Sequence, residues 1–338
     1  MKKHLFLLGL AVTAMTSCTN DEVLEQAQSV QETIGFESFI NKTTRATVAT
    51  DVTIGTLKEF YVFGYYGTNT EVFDNALVKQ ESSVWKVQER KLWTNNNYTF
   101  AAYANGVGTG AIENPEGDIL SSANFASGTL NIPSYSLADK DLIAAFATQD
   151  NTGGNNQSKV ELTFRHLLSK VAFKFQYTDA GNEDLQMTVS NVTLTVPTTA
   201  TCTATSSVTT WSSHTTGTLT TYTNIEGVTK LGLDAPAAPA TPASYYVLPN
   251  EATMGNETVL SFDVTYTDKT QSDAVVKTDH HDLELNTAKL DGNPFLWGAN
   301  TAYTYTVQLP FEPIYIDFTV NDEIPDWTTK SPTISPAS

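Results

Sequence analysis

The chain has little cysteine, little positive charge and no long apolar run beyond its first twenty residues. Two cysteines, Cys18 and Cys202, stand among 338 residues. Once Cys18 is modified, no intramolecular disulfide can form, and stability has to come from packing. Cys202 lies in the Thr- and Ala-rich stretch 198–205, with His214 as the nearest histidine. A nucleophilic thiol needs an adjacent base and a lowered pKa; Cys202 is expected instead to be a small residue of a strand or loop. Lysine and arginine number 19 against 37 acidic residues, a net charge of −18. Such a surface repels nucleic acid and anionic lipid. No later segment has the uninterrupted apolar length of a membrane-spanning helix.

Catalytic patterns are equally scarce. Phosphate-cradling glycine loops, nucleophile elbows and zinc-protease helix motifs do not occur, and neither an enzymatic activity nor a cofactor is expected. His280-His281-Asp282 resembles a metal cluster, but neighbours on a strand point to opposite faces, so the two histidines would not converge. His166 reads as a hydrogen-bonded turn or strand residue. Trp93 and Trp211 suit either a buried core or a sugar-stacking surface. The acidic residues are scattered, and no pair of them stands out as a glycosidase couple.

What is present begins at the N-terminus. Met1-Lys2-Lys3-His4 precedes the apolar run Leu5–Ala14, too short to span a bilayer permanently. Met15-Thr16-Ser17-Cys18 follows, the pattern of a bacterial lipoprotein signal, with Met15 where leucine is usual. The expectation is a signal peptide over 1–17 and acylation, palmitate included, at Cys18, with several chains giving firm anchoring. A polar tether runs on to Gln31. Arg45, in Asn41-Lys42-Thr43-Thr44-Arg45-Ala46-Thr47, is open to a trypsin-like protease and equally to the role of an exposed loop arginine. Setting aside residues 1–45 leaves 15 basic and 32 acidic residues, a net charge of −17.

The body of the chain is rich in Thr, Tyr, Phe and Val, which favour strands. Period-two alternation recurs over Leu57–Tyr66, Val171–Tyr177, Met187–Val196, Leu260–Tyr266 and Tyr303–Leu309, and again at Ile314, Ile316, Phe318 and Val320. Val160–Phe164 reads as a further short strand. Many short strands between Gly, Pro, Asn and Asp clusters predict an all-β chain of antiparallel sandwiches. Leu142–Ala147 fits a short helix or a buried strand. Residues 198–224 and 234–243 are expected as surface loops. The Gly/Asn-rich stretch 150–156 suggests a boundary near residue 157, giving domains over 46–157 and 158–338.

Several of these marks together resemble the fimbrillin family, type V pilins of the Bacteroidetes. They are the Thr16–Glu22 lipoprotein start and Ile34-Gly35-Phe36 ahead of Thr44–Thr47. Lys140–Ala145, the element Phe164-Arg165-His166-Leu167-Leu168-Ser169-Lys170-Val171, and Ile314–Ile316 with Pro325-Asp326-Trp327 follow. The resemblance implies two tandem β-sandwiches of transthyretin-like, Greek-key type with few short helices. It also implies export to the outer membrane as a lipoprotein, then cleavage by an arginine-specific surface protease between Arg45 and Ala46. The propeptide 18–45 would leave with its strand of Ile34, Phe36 and Phe39. A neighbouring copy, or a related pilin, would fill the gap with a C-terminal strand; Ile314, Ile316, Phe318 and Val320 are the candidates. The expected product is a fimbrium that supports adhesion to a host or bacterial surface ligand. Two alternatives remain at this point: a non-polymerising lipoprotein of the same architecture, such as a pilus anchor or tip adhesin, and a glycan-binding lipoprotein.

Overall fold

The structure is a computed structural model. It describes residues 32–40, 57–67, 70–106, 120–138, 140–154, 158–177, 185–214, 219–225, 244–250, 258–272, 274–285, 289–290, 293–294, 296–309 and 317–320. Apart from one 3-10 turn at Lys269–Gln271, its regular elements are strands, so the chain is all-β, as its β-branched and aromatic content favours.

The first sheet has seven strands. In spatial order they are β1 (Phe36–Ile40), β9 (Val160–His166), β8 (Asp141–Asp150), β5 (Asn97–Gly106), β2 (Glu59–Tyr66), β3 (Thr70–Glu81) and β4 (Val84–Val87). Its central strands are buried on both faces. Phe60 and Val62 point into one core and Tyr61 and Phe63 into another; Phe100 and Ala102 are divided in the same way from Ala101 and Tyr103. A strand covered on both faces reads as a continuous apolar run, which accounts for Phe-Tyr-Val-Phe in β2 and Leu-Ile-Ala-Ala-Phe in β8. The latter stretch is therefore a strand and not a helix. Gly64 permits the tight inner packing: a Cβ there would lie 2.8 Å from Phe100 Cδ1.

A second sheet has the order β13 (Thr209–Ser212), β12 (Thr199–Ala204), β7 (Thr129–Ser136), β6 (Asn124–Ala126). Residues expected as a Thr-rich loop after 198 thus form strands. Ala200, Cys202 and Ala204 alternate inward while the threonines between them face out. A third sheet runs β15 (Ser244–Val247), β10 (Ser169–Tyr177), β20 (Thr301–Leu309), β21 (Asp317–Val320). The fourth runs β14 (Leu219–Ile225), β11 (Leu185–Pro197), β16 (Val259–Asp268), β17 (Ala274–Glu284). The third and fourth sheets meet through Phe175 and Phe262, whose rings are 5.1 Å apart. A short hairpin joins β18 (Lys289–Leu290) to β19 (Asn293–Pro294).

Most ladders are antiparallel, as expected, but β1–β9 and β10–β20 are parallel. Both join segments far apart in sequence, as a parallel pair requires. The ladders also cross residue 157. Strand β9 completes the sheet of the preceding residues, and β12 pairs with β7.

The element 164–171 makes the passage from the first sheet to the third. Phe164 lies in the core between the seven strands. Arg165 Nη1 donates to the Ser206 carbonyl (2.6 Å), and Nη2 donates to the carbonyls of Thr205 (2.5 Å) and Val208 (3.1 Å). The guanidinium also lies over the Phe146 ring at 5.5 Å. Buried His166 places Nδ1 3.0 and 2.8 Å from the two carboxylate oxygens of Asp141, itself fully buried. Trp211 Nε1 donates to the Leu167 carbonyl (2.8 Å), and Ser169 Oγ donates to the Gly298 carbonyl (2.7 Å). Val171 enters the second core.

Candidate functional site

The seven-stranded sheet bends until β1 comes within 8 Å, Cα to Cα, of β4 at the far edge. Residues 32–40 close that gap. On one side Ile34 N donates to the Lys91 carbonyl (2.8 Å) and Trp93 N to the Glu32 carbonyl (3.0 Å), around a bridge between Thr33 and Leu92. On the other, β1 runs parallel to β9 in the register Phe36↔Val160 to Ile40↔Phe164. Val160 N adds a bond to the Gly35 carbonyl (2.8 Å). Two sets of backbone groups that would otherwise form open edges are satisfied by one short segment.

Its side chains fill the core behind the sheet. Ile34 and Phe36 are 1% and 2% exposed. The Phe36 ring meets Phe60 (6.1 Å) and Phe100 (5.7 Å) edge-on and Phe73 (5.8 Å) at a tilt; Phe60 in turn packs on Phe164 (5.4 Å). Burying two such side chains contributes about 1.5–3 kcal/mol each. On the outer face Glu37 Oε1 accepts from Lys159 Nζ at 2.8 Å, both groups being well exposed. Ser38 is a less favourable component. Its hydroxyl is buried opposite Leu162 and finds no hydrogen-bond partner among the described residues, an arrangement that costs about 1–3 kcal/mol.

Of the residues singled out in the sequence, Ile34 and Phe36 are thus brought into one groove together with Ser38, while Glu37 and Lys159 pair on the outer face. Phe39 stands opposite Thr163 in the β1 backbone, and its side chain lies outside the described residues. Cys18, Arg45, Ala46, Ile314 and Ile316 also lie outside them. Phe318 and Val320 belong to β21, where Phe318 is opposite Val307 and Val320 opposite Tyr305 of the same chain. Of the groove walls, Phe60 and Phe164 fall in stretches read as strands from the sequence, whereas Phe73 and Phe100 do not. Nothing in it paired them with residue 36.

Other sequence candidates are not assembled into a reactive site. Trp93 and Trp211 are buried. Burial pushes the Cys202 thiol up to about 12, against a smaller opposing influence of Arg165. His280 and His281 diverge as expected. His280 Nδ1 lies 2.6 Å from Asp263 Oδ1 at the surface, whereas His281 stacks on Phe262 at 5.3 Å. No group of His, Cys, Asp and Glu that could hold a metal ion occurs among the described residues.

These features define an all-β protein whose first described strand seals the core of a sheet from both of its edges. The chain belongs to the fimbrillin-like family, whose sequence profile matches residues 44–327. Comparison with the curated proteins gives no match. Among solved structures it is similar to a fimbrial protein from Bacteroides vulgatus at 16% identity and a TM-score of 0.58, over 86% of this chain and 98% of that one. A fimbrial assembly protein from Parabacteroides distasonis is 11% identical, with a TM-score of 0.40 over 86% of this chain and 96% of that one. At these identities the first likeness is one of fold.

Proposed function

We propose that the chain is a subunit of a surface fimbria. It is exported as an outer-membrane lipoprotein through Cys18, cut between Arg45 and Ala46 by an arginine-specific protease, and polymerised by donor-strand exchange into fibres that serve adhesion. The observation that carries this reading is the position of the closing strand. Residues 32–40 seal the seven-stranded sheet, and Arg45 follows five residues after the strand ends. A cut there leaves β1 attached by non-covalent contacts alone. Its departure opens an aromatic groove and two unpaired backbone edges, which an extended segment of another copy satisfies. Family membership supports the same reading, as does the net charge of −17 beyond residue 45, which disfavours nucleic acid as partner.

The test is to treat purified precursor with an arginine-specific protease and examine it by electron microscopy. Filaments whose subunits begin at Ala46 are expected, and Arg45→Ala precursor stays monomeric. Fibres whose subunits still begin at Cys18 would overturn the reading.

A further inference from the structure

The chain holds three arginines, Arg45, Arg90 and Arg165, and the fold treats the last two in opposite ways. The Arg165 guanidinium is held by the carbonyls of Thr205, Ser206 and Val208 and lies over Phe146. It cannot enter the pocket of a protease without breaking the joint around it. Arg90 is exposed, in the irregular stretch between β4 and the bridge at Leu92. Its neighbours Glu89 and Lys91 pair at the surface (3.3 Å). Exposed polar stretches of this kind are where chains are nicked.

Arg90 is shielded by the backbone that follows it. A protease grips its substrate as an extended strand, through backbone groups on both sides of the bond it cuts. Beyond Arg90 those groups are in use. The Lys91 carbonyl accepts from Ile34 N (2.8 Å) and Trp93 N donates to the Glu32 carbonyl (3.0 Å), flanking the bridge between Thr33 and Leu92. Residues 91–93 are drawn into a protease cleft only by a local opening that breaks both bonds. Both are made by residues 32–34, which precede Arg45 and leave with β1.

We propose that the Arg90–Lys91 bond is a second site for the arginine-specific protease, closed while residues 32–34 are in place and open in a subunit that has lost them. The inference rests on the processing and strand exchange proposed above, and adds a fate for subunits that find no neighbour. Water adds across the Arg90–Lys91 amide, leaving a carboxylate on Arg90 and an amine on Lys91. Strands β2, β3 and β4 are then severed from β5, with which β2 pairs. Phe60 and Phe73 of the groove stay on one fragment, and Phe100 and Phe164 go to the other. One enzyme thus activates a subunit and removes any whose groove stays vacant.

Mass spectrometry over a protease time course reads which bonds are cut. Arg45→Ala precursor keeps residues 32–34 attached. Its cleavage at Arg90 is expected to be about tenfold slower than in wild-type subunits already cut at Arg45 and not assembled, because cleavage follows the population of the opened form. Equal rates overturn the shield. So does cleavage at Arg90 in filaments as fast as in unassembled subunits. A second variant tests the shield with no cut at Arg45. Arg45→Ala with Ile34→Pro lacks the N–H that the Lys91 carbonyl accepts, and should be cut at Arg90 about three- to tenfold faster than Arg45→Ala alone. No acceleration overturns the proposal. Equal acceleration at Arg165 does so too, since it reports general unfolding. Absence of a cut at Arg45 in the wild type overturns the processing reading instead, and the Ile34→Pro comparison then decides the shield by itself.

Discussion

Strand β9 is held at its two ends by devices of very different construction. Along its length β1 lies beside it through a five-residue parallel ladder, two buried apolar side chains, an ion pair open to water and an unsatisfied hydroxyl. Where it turns into β10, successive side chains are each committed. Arg165 binds three carbonyls, His166 faces Asp141 in the interior, and Ser169 is tied to residue 298. The turn joins two sheets through specific side-chain partners. The β1 contact consists of backbone pairing and a row of apolar side chains, which any extended strand of suitable alternation reproduces. On the proposed exchange, the joint that stays uses directional hydrogen bonds, and the seal that is replaced uses what another strand can copy.

The sharpest way to break this comparison is to remove a partner from the permanent joint. Asp141→Ala removes the carboxylate that faces His166 Nδ1 and should destabilise precursor and cleaved protein alike by about 1–3 kcal/mol, read from urea unfolding. A loss confined to one of the two forms would contradict the assignment.

Phe36→Ala probes the replaceable seal. It should cost the precursor about 3 kcal/mol and shift its melting temperature downwards. Assembled fibres of the same variant, from which β1 is absent, should melt as the wild type does. Equal losses in both would mean that β1 stays in place.

Arg165→Ala should cost about 1.5–3 kcal/mol through lost charge-assisted bonds, again in both forms. Limited proteolysis between residues 204 and 209, the turn its guanidinium binds, is the accompanying measurement.

The smallest effect lies away from both joints. The Asp263 carboxylate holds the His280 imidazole above its ordinary value, with Asp282 adding to this. Asn191 and then His280 hold Asp263 below the usual carboxylate range. The histidine therefore contributes stability below about pH 6.5 and loses it as pH rises through the folded-state value. The aspartate contributes above about pH 3.9 and loses it as pH falls through its own. His280→Asn should lower the melting temperature at about pH 5.5 and leave it nearly unchanged at about pH 8. A larger loss at the higher pH would reverse the assigned sign.

Much of this was readable beforehand, and the reasons for the rest are physical. Ile34-Gly35-Phe36 was expected as a strand through the resemblance to the fimbrillin family. Its partner could not be read, since Val160 lies 124 residues beyond Phe36 and a ladder of backbone bonds carries no sequence signature. Residues 199–204 escaped because their inward set is Ala200, Cys202 and Ala204, side chains too small to stand out among threonines. Ser38 was not singled out in the sequence; its burial depends on the sheet curving round to meet it. Phe164–Val171 was recognisable as an element, but its use as a joint depended on carbonyls at 205–208 and 298 that no side-chain pattern encodes.

The parallel pairing of β1 with β9 has a further consequence, for symmetry. A slot that admits a strand in one orientation, occupied by a segment from a different surface of the neighbouring copy, makes a heterologous contact rather than a self-complementary one. Such contacts, unless they close into a ring, repeat without limit along an axis. On the proposed donor-strand exchange, each link consumes one vacancy and one tail, so a growing fibre shows a free vacancy at one tip and a free tail at the other. The two tips are chemically unlike, and whatever starts, stops or fastens the fibre has to recognise one of them.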